Sequence, residues 1–107
     1  MLPVYRDKYI VAQDMGASFV GPIINTKGNS GFSVQAIYIG APTGTLSVQG
    51  SNDGLNWSDL PGAAAIAGPD SFLFNLGEVW FRYARLSYVR TGGAGTLSAN
   101  VYTKEVM

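Results

Sequence analysis

The chain has 107 residues, with seven basic and seven acidic side chains, 14 glycines, and neither cysteine nor histidine. Those absences exclude disulfides, thiolate or imidazole metal sites, and any Cys or His nucleophile–base pair. A zero net charge argues against a nucleic-acid partner, which needs a basic stripe to neutralise phosphates.

Taken in chain order, the first segment is "MLPVYRDKYIVAQDM". Arg6, Asp7 and Lys8 interrupt the basic-then-apolar pattern of a secretory signal. No run in the chain reaches the ~18 apolar residues of a membrane span. The expectation is therefore synthesis in the cytoplasm with no membrane partner. Residues 1–15 mix Tyr5, Tyr9, Ile10 and Val11 with charges, a composition suited to an arm that docks on a neighbour. The alternative is a terminal edge strand of the same domain. The remainder, 16–107, reads as one domain.

That domain opens with a short strand at 17–20 ("ASFV"). Residues 32–39, "FSVQAIYI", run into "GAPTG" and then "TLSVQGS"; residues 82–90, "RYARLSYVR", run into "TGGAG" and then "TLSANVYTK". Both units are strand, five-residue glycine-containing loop, strand, the signal of a β-hairpin. Two such hairpins, near 32–51 and 82–103, are expected to pack face to face. Further strands are expected at 56–60 and 71–76, with "PGAAAIAGPD" between them as a loop. Apolar periods of 3.6 residues are absent, so almost no helix is expected. The sum is an all-β, antiparallel β-sandwich or jelly roll of about seven to eight strands.

Alternation assigns the faces. Leu46 and Val48, Ala84, Leu86 and Tyr88, and Leu97, Ala99 and Val101 each fill one side of a strand and are expected to be core. In "FSVQAIYI", Phe32, Val34, Ala36 and Tyr38 fill one face, but Ile37 and Ile39 share the other with Gln35. Charged residues make up 13% of the chain, and none lies between Lys27 and Asp53. A typical soluble domain carries ~25%, and isolated edges are normally guarded by charge. Ile37 and Ile39, together with Tyr5, Arg6, Tyr9 and Trp80, are therefore the candidates for a protein interface.

No residue pattern points to catalysis. Asp53, Asp59, Asp70 and Glu78 fall in or near loops without the spacing of a calcium loop. Asp53 in "SNDGLNW" is the residue expected of a tight turn, and Trp57 after it is read first as a core anchor. Without histidine or a G-x-S-x-G elbow no hydrolase triad is available, and "GGAG" lacks the helix of a phosphate loop. The expectation is a protein that is not an enzyme, with no metal and no cofactor.

"VQGSNDGLNWSDL" followed by "FRYARLSYVR" resembles the paired signature of discoidin-like (coagulation factor 5/8 type C) sandwiches: an S-N-D-G turn with a Trp three residues after its Gly, then an R-Y-x-R strand. Here these are Ser51 to Trp57 and Arg82 to Arg85. The whole string, "GTL…SNDG.NW" with "RY.RL.Y.RT.G.GTL", resembles small β-sandwich virion proteins of tailed bacteriophages. That resemblance implies a capsid decoration or cement subunit on the virion surface. It would bind the major capsid protein and associate as a homo-oligomer, a dimer or trimer. The competing implication is a carbohydrate- or cell-surface-binding module of a phage tail or tail fibre. Trp57, Tyr83 and Arg85 are the candidate sugar contacts in that case.

Overall fold

The structure, a computed structural model, describes residues 3–26, 29–77, 79 and 81–105, with side chains described for 8–26, 31–77, 79 and 81–102. Among them every regular element is a strand: β1 (Pro3–Asp14), β2 (Phe19–Val20), β3 (Ile24–Asn25), β4 (Asn29–Gly40), β5 (Thr43–Ser51), β6 (Ser58–Asp59), β7 (Ala64–Ala67), β8 (Asp70–Leu76), β9 (Tyr83–Gly92) and β10 (Gly95–Glu105). They form two antiparallel sheets. The first, sheet A, has the order β1-β10-β4-β8. The second, sheet B, runs β2-β9-β5-β6, with β3 also on β9 and β7 also on β5. Because β2 and β3 follow one another along β9, and β6 and β7 along β5, the ten strands occupy eight ladder positions, four per sheet. This is a jelly roll.

The repeated units are not hairpins. β4 and β5 belong to different sheets, as do β9 and β10, so each five-residue loop is an arch that carries the chain from one layer to the other. Each strand pairs with one from the other unit: β4 with β10 from Gly40↔Gly95 to Asn29↔Glu105, and β5 with β9 from Thr43↔Gly92 to Ser51↔Tyr83. The two loops clasp each other. Ala41 N–H donates to the Ala94 carbonyl at 2.9 Å, and a Cβ on Gly93 would lie 1.9 Å from the Ala41 carbonyl oxygen. Gly93 also has φ +69°, a backbone region that disfavours every other residue type. The phrase recurs because its two copies are built against each other.

The N-terminal segment does not stand apart as a docking arm. β1 lies along β10, from Pro3↔Lys104 to Asp14↔Thr96, as the edge strand of sheet A. The register shifts on either side of Ile10, and Ala12 takes φ 53° at the second irregularity. A bulge of this kind twists an edge away from further pairing. Ile10 turns into the core, while Val11 stays exposed.

"PGAAAIAGPD" also departs from expectation, because Ala64–Ala67 forms β7 against β5. Alanine is a poor strand former, but Ala64 and Ile66 alternate inward and are buried, and Gly62 and Gly68, both at positive φ, turn the chain at either end. The core is otherwise as the alternation implies. Leu46, Leu86, Leu97 and Val101 are almost fully inaccessible, with Val48, Tyr88 and Met15 among them. Met15 lies just past the end of β1, and its amide bonds the Gly95 carbonyl at 2.9 Å.

Candidate functional site

The two outer faces of the sandwich differ in chemistry. On sheet B, β9 and β5 place Arg85 opposite Gln49, and β6 places Asp59 beside Gln49. Arg85 Nε–H donates to Gln49 Oε1 at 2.8 Å, and Gln49 Nε2–H donates to Asp59 Oδ1 at 2.9 Å. The Arg85 guanidinium also lies over the Trp57 ring, 4.2 Å from its centroid, a cation–π contact. Arg85 and Asp59 are therefore linked through Gln49.

The turn beside this network closes a hairpin, β5–β6. Asp53 accepts from the amides of Leu55 and Asn56 at 2.8 Å each, from Asn56 Nδ2 at 2.7 Å and from Ser51 Oγ at 3.0 Å. Ser51 Oγ in turn accepts from Gly54 N–H at 2.9 Å, with Gly54 at φ +75°. Backbone and side-chain donors from Asn56, the Leu55 amide and Ser51 hold the Asp53 carboxyl well below the usual carboxylate range. This is the turn role expected of it: its oxygens are committed to the loop. No group of three or more potential ligands that could hold a metal occurs among the described residues.

Trp57 is not a core anchor. It sits half-buried outside sheet B beneath Arg85. Tyr83 is on the same outer side of β9 as Arg85, and its ring lies 3.7 Å from where a Gly54 Cβ would stand. Arg82 Cζ is 5.6 Å from the centroid of that ring. Trp57, Tyr83 and Arg85 are thus brought to one face, with one side of the indole already taken by the guanidinium.

Sheet A presents the opposite surface. β4 turns Ser33, Gln35, Ile37 and Ile39 outward; β10 adds Thr96, Ser98, Asn100 and Tyr102; β8 adds Ser71, Leu73 and Asn75. No charged residue is among these, and exposed Asp14 of β1 lies beside Thr96 at the edge. Ile39 is 62% exposed, Leu73 57% and Ile37 44%, with Val11 exposed at the β1 irregularity. The sequence reading found Ile37 and Ile39 but assigned no faces in "SFLFNL", where Phe72, Phe74 and Leu76 alternate with Ser71, Leu73 and Asn75 and leave Leu73 as an apolar residue on the more polar side. Its pairing decides: Phe72, Phe74 and Leu76 lie across from the inward Ala36, Val34 and Phe32.

Tyr9 is not on this face. Its side chain is half-buried between the layers and bonded to Leu86 and Pro22. Backbones of Tyr5 and Arg6 pair with Tyr102 and Val101, while their side chains, and the whole of Trp80, lie outside the described residues. Among the described residues, surface clefts of up to about 290 Å³ run along β8, between Lys8 and Ile24, and beside the Ser51 turn, and no carboxylate borders them.

Neither a protein-family profile nor a curated protein matches the sequence. The fold does have solved counterparts. The SPBc2 prophage-derived protein YomS superposes with a TM-score of 0.60 at 9% identity, over 95% of this chain and 96% of that one. PirA gives 0.53 at 15% identity, over 95% and 91%. The Tobacco streak virus coat protein gives 0.52 at 11% identity, over 97% and 86%. At these identities the shared property is the jelly-roll fold, spanning nearly the whole of each chain.

Proposed function

We propose that this protein is a non-enzymatic structural subunit of a virion that docks on the major capsid protein through the outer face of sheet A and decorates the capsid surface. The observation that carries the reading is the contrast between the faces. On sheet B, Arg85 and Asp59 are engaged through Gln49, while the β10–β4–β8 part of sheet A, from Thr96 to Tyr102 on β10, turns uncharged side chains outward with Ile37, Ile39 and Leu73 in water. Contiguous exposed apolar area of that kind marks an interaction site. A prophage-derived protein and a virus coat protein share the fold, which supports the same direction.

The test separates heads from tails of the particle that carries the chain and asks where the protein fractionates. Wild-type protein is expected with heads. Ile37→Asp combined with Ile39→Asp is expected to keep a native far-UV spectrum and to lose co-sedimentation with heads. Fractionation with tails, or undiminished binding by the double variant, defeats the proposal. Binding of a glycan array that is lost on Trp57→Ala would support the carbohydrate module in its place.

A further inference from the structure

β8 is the terminal strand of sheet A, and all seven of its residues pair with β4 on one side, from Tyr38↔Asp70 to Phe32↔Leu76. The direction of its free backbone groups can be read from one bond. The Ser71 amide donates to the Asp70 carboxylate at 2.8 Å and so points away from β4. Antiparallel ladders alternate, so the amides and carbonyls of Leu73 and Asn75 also face the open edge. The one charge on β8 is Asp70 at its first residue, which caps the Ser71 amide; Ser71 to Gly77 carry none, although edge strands are ordinarily blunted by charge, proline or a bulge. The opposite edge, β1, has its bulge; β8 has none.

We infer that β8 pairs with β8 of a second copy of this chain, antiparallel about a two-fold axis through Leu73, joining the two A sheets into one of eight strands. Face alternation together with full overlap of Asp70–Leu76 selects this arrangement. With Leu73 opposite Leu73 of the mate, Phe72 faces Phe74 on the inner side, and the outward Ser71 faces Asn75. A slip of one residue would set inner side chains against outer ones. The Leu73 pair exchanges two backbone bonds, and each Asn75 amide reaches the Ser71 carbonyl of the mate. No charge is placed opposite a like charge.

The side chains have a place to go. Phe72 and Phe74 already touch within one copy, their rings tilted by 57° with 4.7 Å between centroids, and Phe72 remains 37% exposed. Below them a cleft of about 290 Å³ runs along β8 down to Val48 and is flanked by Pro61 and Gly62. Across the axis the four phenylalanines form one cluster that roofs both clefts. A seven-residue strand is ~24 Å long, and the molecule is 19 Å through its thinnest dimension. The pair would bury on the order of 900 Å², the size of a reversible association. The two-fold closes the contact at two copies, and the inference is independent of what sheet A binds.

The chain has no cysteine, so Leu73→Cys adds a single thiol on the axis. Paired residues there have Cα atoms ~5.5 Å apart, within disulfide range. Mild oxidation is expected to link Leu73→Cys into dimers at least tenfold faster than Ile39→Cys, an exposed control on the same sheet. Sedimentation equilibrium of wild-type protein, without capsids, is expected to show a concentration-dependent dimer. Leu73→Pro removes an amide that β4 does not use and is expected to abolish the dimer with an unchanged far-UV spectrum. If that variant does not fold, Leu73→Lys replaces it, since two like charges on the axis must part the copies. A wild-type monomer up to millimolar concentration, or equal crosslinking of the two cysteine variants, overturns the inference.

Discussion

The Tyr9 hydroxyl accepts the Leu86 amide at 3.1 Å and donates to the Pro22 carbonyl, tying the edge of sheet A to the centre of sheet B. The bond falls where the partner strand of β9 is interrupted between β2 and β3, so the phenol satisfies an amide that a continuous strand would have covered. Gly21 permits the approach: a Cβ there would lie 2.6 Å from the Tyr9 oxygen. Tyr9→Phe should leave the Leu86 amide without a partner and cost about 1–3 kcal/mol in chemical denaturation.

The same bond has a pH signature. Burial pushes the Tyr9 phenol from 10.0 up to about 12, against smaller opposing effects of the Leu86 amide and the Arg85 charge. The folded protein therefore holds its proton where the unfolded chain, titrating near 10, releases it. This contribution is complete below pH 10 and is lost as pH rises toward 12. Stability measured across that interval should fall less steeply in Tyr9→Phe than in wild type.

Leu86 is 1% exposed, in the layer shared with Leu46, Leu97 and Val101. Leu86→Ala is expected to destabilise by roughly 2–5 kcal/mol, read from the denaturant midpoint at constant slope. A cost near zero would contradict the burial.

Asp53 supplies a second pH-dependent element, on the acid side. Its carboxyl is held below the ordinary range, so its contribution is present above about pH 4 and disappears as the carboxylate protonates below that. Asp53→Ala should lower the thermal midpoint at neutral pH and flatten the acid limb of the stability curve. EDTA should leave the wild-type midpoint unchanged, because the Asp53 oxygens already accept four donors from the turn.

The clasp between the arches separates two kinds of glycine. Gly93→Ala combines a positive φ with a clash against the Ala41 carbonyl and should cost more than about 3 kcal/mol. Gly62→Ala, at φ +95° with nothing within 4 Å of the added methyl, should cost only the backbone strain of about 1–2 kcal/mol. Paired thermal melts of the two variants compare these directly.

Much of the fold was legible residue by residue. The alternation in "TLSVQGS", "RYARLSYVR" and "TLSANVYTK" named the inward side chains correctly, because a period of two survives whichever strand lies alongside. The SNDG turn was legible for a similar reason: Ser51, Asp53, Gly54 and Asn56 bond to one another, and everything the turn needs lies within six residues. β7 was missed because the burial of Ala64 and Ile66, which overrides alanine's weak strand preference, comes from distant residues. Tyr9 was placed on the outside because the charges just before it, Asp7 and Lys8, mask the inward turn that it shares with Ile10.

The sequence by itself determined the all-β class, the core residues, the turn at Asp53 and the uncharged stretch that becomes part of the outer face of sheet A. These depend on local chemistry and on a two-residue period, and both are written along the chain. Only the tertiary structure decided that "GAPTG" and "TGGAG" are arches, that β4 pairs with β10 and β5 with β9, and that residues 3–14 close one edge while β8 leaves the other open. A hairpin and an arch bury the same alternating side chains. The choice between them rests on backbone pairing between residues far apart in the chain, as at Thr45↔Val89 and Gly31↔Lys104, for which a single strand carries no record.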